Sequence, residues 1–169
     1  MTLDEALHGK DIPADIRETL ELIAVPYFSF EARAKIGHLV VHKDLAEDVR
    51  EIFATLAEQR FLIEKIIPIS AYGWDDDASM EDNNSSAFNY RTIAGTDRLS
   101  NHAFGRAIDI NPRLNPYIRG DYVAPRGATY DLSQTGTITP EVARLFIRRG
   151  WIWGGNWTDR KDWQHFEKP

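Results

Sequence analysis

Three stretches of the chain carry apolar residues at the spacing of an amphipathic helix. The first, Ala14 to Ala24, has acidic residues between its apolar positions and predicts a surface helix. The second, LAEDVREIFATLAEQ, follows Asp44, which is a candidate helix cap. The third, TPEVARLFIRRG, begins with the candidate cap Thr139 and Pro140 and ends at a glycine. The pattern therefore predicts three helices.

Shorter apolar runs between and after these helices predict strands. GHLVVHKD, FLIEKIIPIS and AIDI are strand-like, and WIWGG and WQHFE predict two more strands near the carboxyl terminus. Residues 72–99 lose all periodicity, and Pro112 and Pro116 interrupt the segment 111–137, so both segments are predicted to be loops.

Strands and helices do not alternate regularly along the chain. This order predicts an α+β fold, a single domain with a mainly antiparallel sheet flanked by helices. We expect residues 1–36 to form a helical extension that packs on a domain of residues 37–169.

Charge and composition narrow the classes of partner. The formal net charge of −6 argues against nucleic acid and against an anionic membrane surface, because both attract basic proteins. No apolar run approaches the roughly 20 residues of a membrane span. The acidic start MTLDEALHGKDIPADI lacks the pattern of a signal peptide. We therefore expect no membrane span, and either export by another route or a chain that begins after processing.

The absence of cysteine restricts any metal site to His, Asp and Glu ligands. In SNHAFGRAIDI, His102 and Asp109 lie seven positions apart across Gly105, and DWQHFE near the carboxyl terminus supplies His165. Two histidines and one carboxylate leave the fourth position of a tetrahedral zinc ion open to water. Taken alone, His102 and Asp109 are better explained as ordinary buried or solvated side chains, and it is the combination of both motifs that favours zinc.

Four further residues have candidate roles in peptide hydrolysis. Asp162, three positions before His165, can act as the general base, and Arg91 in SSAFNYR can hold the scissile carbonyl. Ser100 is a candidate substrate contact, although it can equally cap the turn before His102. Trp157 lies in a predicted turn and is a candidate for the cleft lining.

The pair of motifs SNHAFGRAIDINP and DWQHFE resembles the zinc D-alanyl-D-alanine carboxypeptidase and L-alanyl-D-glutamate endopeptidase family. This family includes vancomycin-resistance D,D-peptidases and several phage endolysins, and it shares its fold with the amino-terminal domain of Hedgehog. The resemblance runs from about Val40 through Phe166, and the two motifs together are specific.

The resemblance implies a role for each matching residue. It implies zinc bound by His102, Asp109 and His165, with Asp162 as the general base and Arg91 as the carbonyl-binding arginine. Some members carry Glu at the base position, which makes Glu167 an alternative base.

These observations predict a zinc metallopeptidase that hydrolyses the peptide stem of bacterial peptidoglycan, as a D-alanyl-D-alanine carboxypeptidase at the cell wall or in the periplasm. One alternative is an L-alanyl-D-glutamate endopeptidase of the endolysin type. Another is a binding module without catalytic activity, in which zinc would be structural. The sequence leaves the oligomeric state and the phage or cellular origin open.

Overall fold

Two short helices precede the longest strands of the protein. In the computed structural model, which describes residues 1–169, α1 spans Leu3–Ala6 and α2 spans Ala14–Arg17. Strands β1 (Leu20–Phe28) and β2 (Ala34–His42) then form an antiparallel pair. The helix predicted over Ala14 to Ala24 is therefore wrong beyond Arg17. LELIAVPYF instead buries alternating β-branched and aromatic side chains against the core, and residue 36, the predicted domain boundary, lies inside β2.

The remaining elements are mostly short. In chain order they are α3 (Ala46–Glu58), β3 (Lys65–Ile66), α4 (Asp76–Glu81), β4 (Asn84–Ser85), β5 (Ala107–Asp109), β6 (Tyr117–Arg119), β7 (Tyr122–Ala124), α5 (Pro140–Ile147), β8 (Ile152–Trp153), β9 (Lys161–Asp162) and β10 (His165–Glu167). Helices α3 and α5 confirm the two helices predicted after Asp44 and from Thr139 onwards. The Thr139 side chain caps α5 by accepting a hydrogen bond from the Val142 N–H.

The strands form four small sheets, three of them antiparallel. These are β1-β2, β5-β10-β8 and β7-β6-β9, whereas β3 and β4 pair in parallel. The predicted α+β domain with mainly antiparallel pairing is confirmed.

Three more segments differ from their predicted structure. The 111–137 segment, predicted to be a loop, contains the antiparallel strands β6 and β7. The 72–99 segment contains α4 and β4, because Asp75 accepts a hydrogen bond from the Ala78 N–H and caps a helix that has no apolar stripe. FLIEKIIPIS forms a strand only over Lys65–Ile66, although Ile63, Ile66 and Ile69 are all buried.

The main core lies between α3, α5 and the strands around them. Phe53 of α3, Phe146 of α5 and Phe166 of β10 are completely buried in it, and Phe146 stacks on Phe166. This packing fixes the carboxyl-terminal strand against β5 and positions the site described next. None of the helices has the length and apolarity needed to cross a membrane.

Candidate metal centre and its cleft

The structure brings His102, Asp109 and His165 together in one buried cluster. His102 lies in the 3-10 turn Asn101–Phe104, Asp109 ends β5 and His165 begins β10. The antiparallel register of β5 and β10 places His165 directly opposite Asp109. Two sequence-distant motifs therefore meet because their strands pair.

The atoms of these three side chains have the spacing of metal ligands. His102 Nε2 lies 3.2 Å from Asp109 Oδ2 and 3.2 Å from His165 Nδ1. His165 Nδ1 lies 3.0 Å from Asp109 Oδ1. Tetrahedral zinc with bonds of about 2.0 Å separates neighbouring ligand atoms by about 3.3 Å. The three residues therefore fit a zinc ion in both donor chemistry and spacing.

Hydrogen bonds behind the cluster select which histidine nitrogen faces inward. His102 Nδ1 contacts the Ala87 carbonyl oxygen, which can only accept, so Nε2 is left without a proton to serve as a ligand. His165 Nε2 donates to Glu167 Oε2 at 3.1 Å, which leaves Nδ1 as the ligand atom. The same Glu167 oxygen accepts from Asn101 Nδ2 at 2.7 Å. Glu167, the alternative base, is therefore engaged in orienting His165.

The charged and hydrogen-bonding groups of the cluster also shift one another's pKa values. Burial alone would raise the pKa of Asp109, but the charge and hydrogen bonds of His102 and His165 hold it well below its usual range. Burial likewise opposes the charged form of His165, but hydrogen bonds to Asp109 and Glu167 raise its pKa to about 10. The pocket thus favours one anionic carboxylate next to a positive charge, which is the charge that a bound cation would supply.

Gly105 allows the turn that holds His102 to approach the strand pair. It has φ of +65°, and a Cβ atom there would lie 2.5 Å from the His42 backbone nitrogen. The Gly105 carbonyl accepts a hydrogen bond from that same nitrogen at 2.8 Å. A side chain at this position would push the turn and His102 away from β2.

Asp162 lies in the cleft beside the cluster. It ends β9, and its Oδ1 atom is buried without a hydrogen-bond partner. Burial, and to a lesser extent the negative charge of Asp109, raise the pKa of Asp162 to about 7. A carboxylate with that pKa can both accept and return a proton near neutral pH.

Arg91 also lines the cleft, and it is held in place by α4. Its Nη2 lies 2.9 Å from Asp76 Oδ2, and the other oxygen of Asp76 accepts from Asn89 Nδ2 at 3.1 Å. Arg91 Nε is buried without a partner. Arg91 therefore lines the cleft and has one donor that no protein acceptor satisfies.

The two predicted substrate contacts take different positions. Ser100 is buried, and its Oγ accepts a hydrogen bond from the His102 N–H, so it caps the turn as the structural interpretation expected. Trp157 lines the cleft, with its ring centroid 5.4 Å from that of His165. Contact of either residue with substrate remains a prediction.

All the predicted site residues border one cleft of about 830 Å³. Sequence reasoning missed Asp76 and two arginines of this cleft, Arg119 and Arg160. The run Asp75 to Asp77 marks only a polar segment, and no motif points to the arginines, because their position depends on how β6 pairs with β9.

Comparison with known proteins agrees with the family resemblance that the two motifs predict. Residues 94–168 match the family model described as D-alanyl-D-alanine carboxypeptidase, and this segment contains all three candidate ligands and Asp162. No significant match was found among curated proteins or among solved structures. The resemblance inferred from the two motifs is therefore confirmed over residues 94–168, which are similar to this carboxypeptidase family.

Proposed function

We propose that the protein is a zinc metallopeptidase that removes the terminal D-alanine from the peptide stem of bacterial peptidoglycan. The proposal depends above all on one observation: two histidine nitrogens and a carboxylate lie 3.0–3.2 Å apart at the bottom of a cleft. The family match over residues 94–168 supports both the peptidase activity and the class of substrate.

His102, Asp109 and His165 would hold the zinc ion. When bound, zinc supplies Lewis-acid chemistry, which polarises a carbonyl and increases the acidity of water. A cleft of about 830 Å³ includes these ligands in its lining, and an extended peptide would bind there.

The side chains around the cluster supply proton transfer and charge stabilisation. Asp162 Oδ1, which has no hydrogen-bond partner, takes the proton of the attacking water and returns it to the leaving amine. The Arg91 guanidinium donates to the carbonyl oxygen as negative charge develops there. Asp76 holds that guanidinium in position.

Mass spectrometry of a stem pentapeptide tests this function. Acetyl-L-Ala-γ-D-Glu-L-Lys-D-Ala-D-Ala is incubated with zinc-loaded protein, with protein plus chelator, and with the Asp109→Asn variant. We expect loss of one D-alanine by the zinc-loaded protein alone. Separation of L-Ala from D-Glu would instead establish the endopeptidase, and zinc binding with no product from any stem peptide would favour a binding module.

A further inference from the structure

One face of the β7-β6-β9 sheet forms a wall of the cleft. Tyr117 and Arg119 of β6, Tyr122 of β7, and Asp162 with the preceding Arg160 all line it. Tyr117 and Arg119 are alternate positions of β6, so their side chains share one face of the sheet, and Arg160 reaches the same cleft from the bend before β9. The general base candidate and two arginines are therefore on the same surface.

Strand pairing brings the segments that carry the two arginines together. Tyr117 pairs with Asp162 and Ile118 with Lys161. Arg119 is the next residue of β6, and Arg160 lies in the bend that immediately precedes β9. Both side chains therefore line the same cleft from neighbouring segments.

The two guanidinium groups are compensated to different extents. Arg160 pairs with the exposed Asp159 at 2.6 Å and stacks over the Trp157 ring, 4.4 Å from its centroid. Arg119 makes no side-chain hydrogen bond and no ion pair, and it is exposed to the cleft. The hydrogen bond from Arg160, and more weakly the charge of Arg119, lower the pKa of Asp159. Asp159 thus compensates Arg160 directly, whereas Arg119 has all its donors available.

We propose that Arg119 and Arg160 form a binding site for a carboxylate group of the substrate. Guanidinium groups bind carboxylates through paired hydrogen bonds, and Arg119 has donors free for a second carboxylate besides Asp159. The identity of the substrate rests on the proposed function, but the site itself follows from the cleft lining and the free donors of Arg119.

The position of the pair limits which carboxylates it can bind. Arg119 lies two residues along β6 from Tyr117, which pairs with Asp162, a separation of about 7 Å. Consecutive residues of an extended peptide are at most about 3.8 Å apart, so the bound carboxylate belongs within a few residues of the scissile bond. A stem peptide offers two such groups, the terminal carboxylate of D-alanine and the free α-carboxylate of γ-linked D-glutamate.

Binding measurements with three peptides test this site. They are the pentapeptide above, its carboxy-terminal amide, and the form in which the D-glutamate α-carboxylate is amidated. Dissociation constants are measured by calorimetry with zinc-loaded Asp162→Asn protein, which blocks turnover. The same measurements follow after adding Arg119→Gln, Arg160→Gln or Arg98→Gln. Arg98 is the matched control, because it lines another part of the cleft and also has no ion pair.

We expect Arg119→Gln to weaken binding of the unmodified pentapeptide by about ten- to a hundredfold. Arg119→Gln should not change the dissociation constant of the one peptide in which the bound carboxylate is amidated. The peptide that is unaffected therefore identifies which carboxylate the arginines bind. Arg98→Gln should bind all three peptides like the parent protein.

Two results would overturn the site: an equal effect of Arg119→Gln on all three peptides, or an equal loss in Arg98→Gln. Turnover by wild-type protein is measured separately. If no peptide is cut but the arginines still discriminate between acid and amide, the proposed function fails and the carboxylate site stands.

Discussion

At the scale of single residues, a substitution of Asp162 tests catalysis separately from metal binding. Asp162→Asn keeps all three candidate ligands but removes the proton acceptor. We expect kcat on the stem pentapeptide to fall by about 10²- to 10⁴-fold, while the zinc content stays at that of the wild type. Kinetics combined with metal analysis check this. Asp11→Asn, a substitution at an exposed residue whose side chain has no partner, should match the wild type in both kcat and zinc content. Full activity of Asp162→Asn would assign the base elsewhere.

Glu167 provides the complementary test, because it contacts the outer nitrogen of His165. Removing such a partner weakens metal affinity by about 10- to 100-fold. We expect that loss for Glu167→Ala and a smaller one for Glu167→Gln, whose amide oxygen can still accept the hydrogen bond. Zinc titration against a competing chelator measures both. If Glu167→Ala binds zinc normally but loses turnover, Glu167 is the base and its orienting role is wrong.

At the scale of elements, Asp48 of α3 ties the carboxyl-terminal segment to the core. Its carboxylate contacts Lys168 Nζ at 2.8 Å, Arg149 Nη1 at 3.0 Å and Trp151 Nε1 at 3.4 Å. Burial opposes the charged form, but these donors outweigh burial and lower the pKa of Asp48. We expect Asp48→Asn to reduce the free energy of unfolding by about 1–3 kcal/mol at pH 7.

The pH dependence of this effect follows from the sign of the shift. A carboxylate whose pKa is lowered by folding stabilises the protein fully above its unfolded pKa of about 3.9, and this contribution disappears as pH falls through the folded value. The stability difference between wild type and Asp48→Asn should therefore shrink as pH falls below about 4 in urea unfolding. Asp11→Asn, at an exposed residue whose side chain has no partner, serves as the control. A difference that stays constant over this range would contradict the assignment.

The elements also show what the sequence could and could not predict. Helices α3 and α5 were predictable because their apolar spacing is a local signal, as is the Thr139 cap of α5, whereas Asp44 lies in a 3-10 turn and does not cap α3. The candidate metal-ligand motifs on β5 and β10 are local signals too. The strand at Leu20–Phe28 was missed because its apolar spacing also fits a helix, and only pairing with β2 decides between them. The arginine pair was missed for the same reason, since the register of β6 and β9 is set by tertiary packing.

At the scale of the whole molecule, the metal centre joins parts of the chain that are distant in sequence. His102 and Asp109 meet His165 from 56 or more positions away, so the ligand set exists only in the folded state. Zinc that binds only the folded protein adds about 2.7 kcal/mol of stability at a hundredfold excess over its dissociation constant. For a domain of this size, that corresponds to a rise in Tm of about 5–10 °C.

Calorimetric melting with and without zinc measures this rise. Asp109→Asn, which lacks one ligand, should show a much smaller shift, whereas His8→Gln, an exposed histidine in the amino-terminal segment, should shift like the wild type. Equal shifts in wild type and Asp109→Asn would place the zinc outside the cluster. Asp109 of β5 and His165 of β10 connect the cluster to the strand that carries Phe166, which stacks on Phe146 in the main core. A rise in Tm that occurs only when the cluster is intact would therefore link metal binding to the stability of the main core.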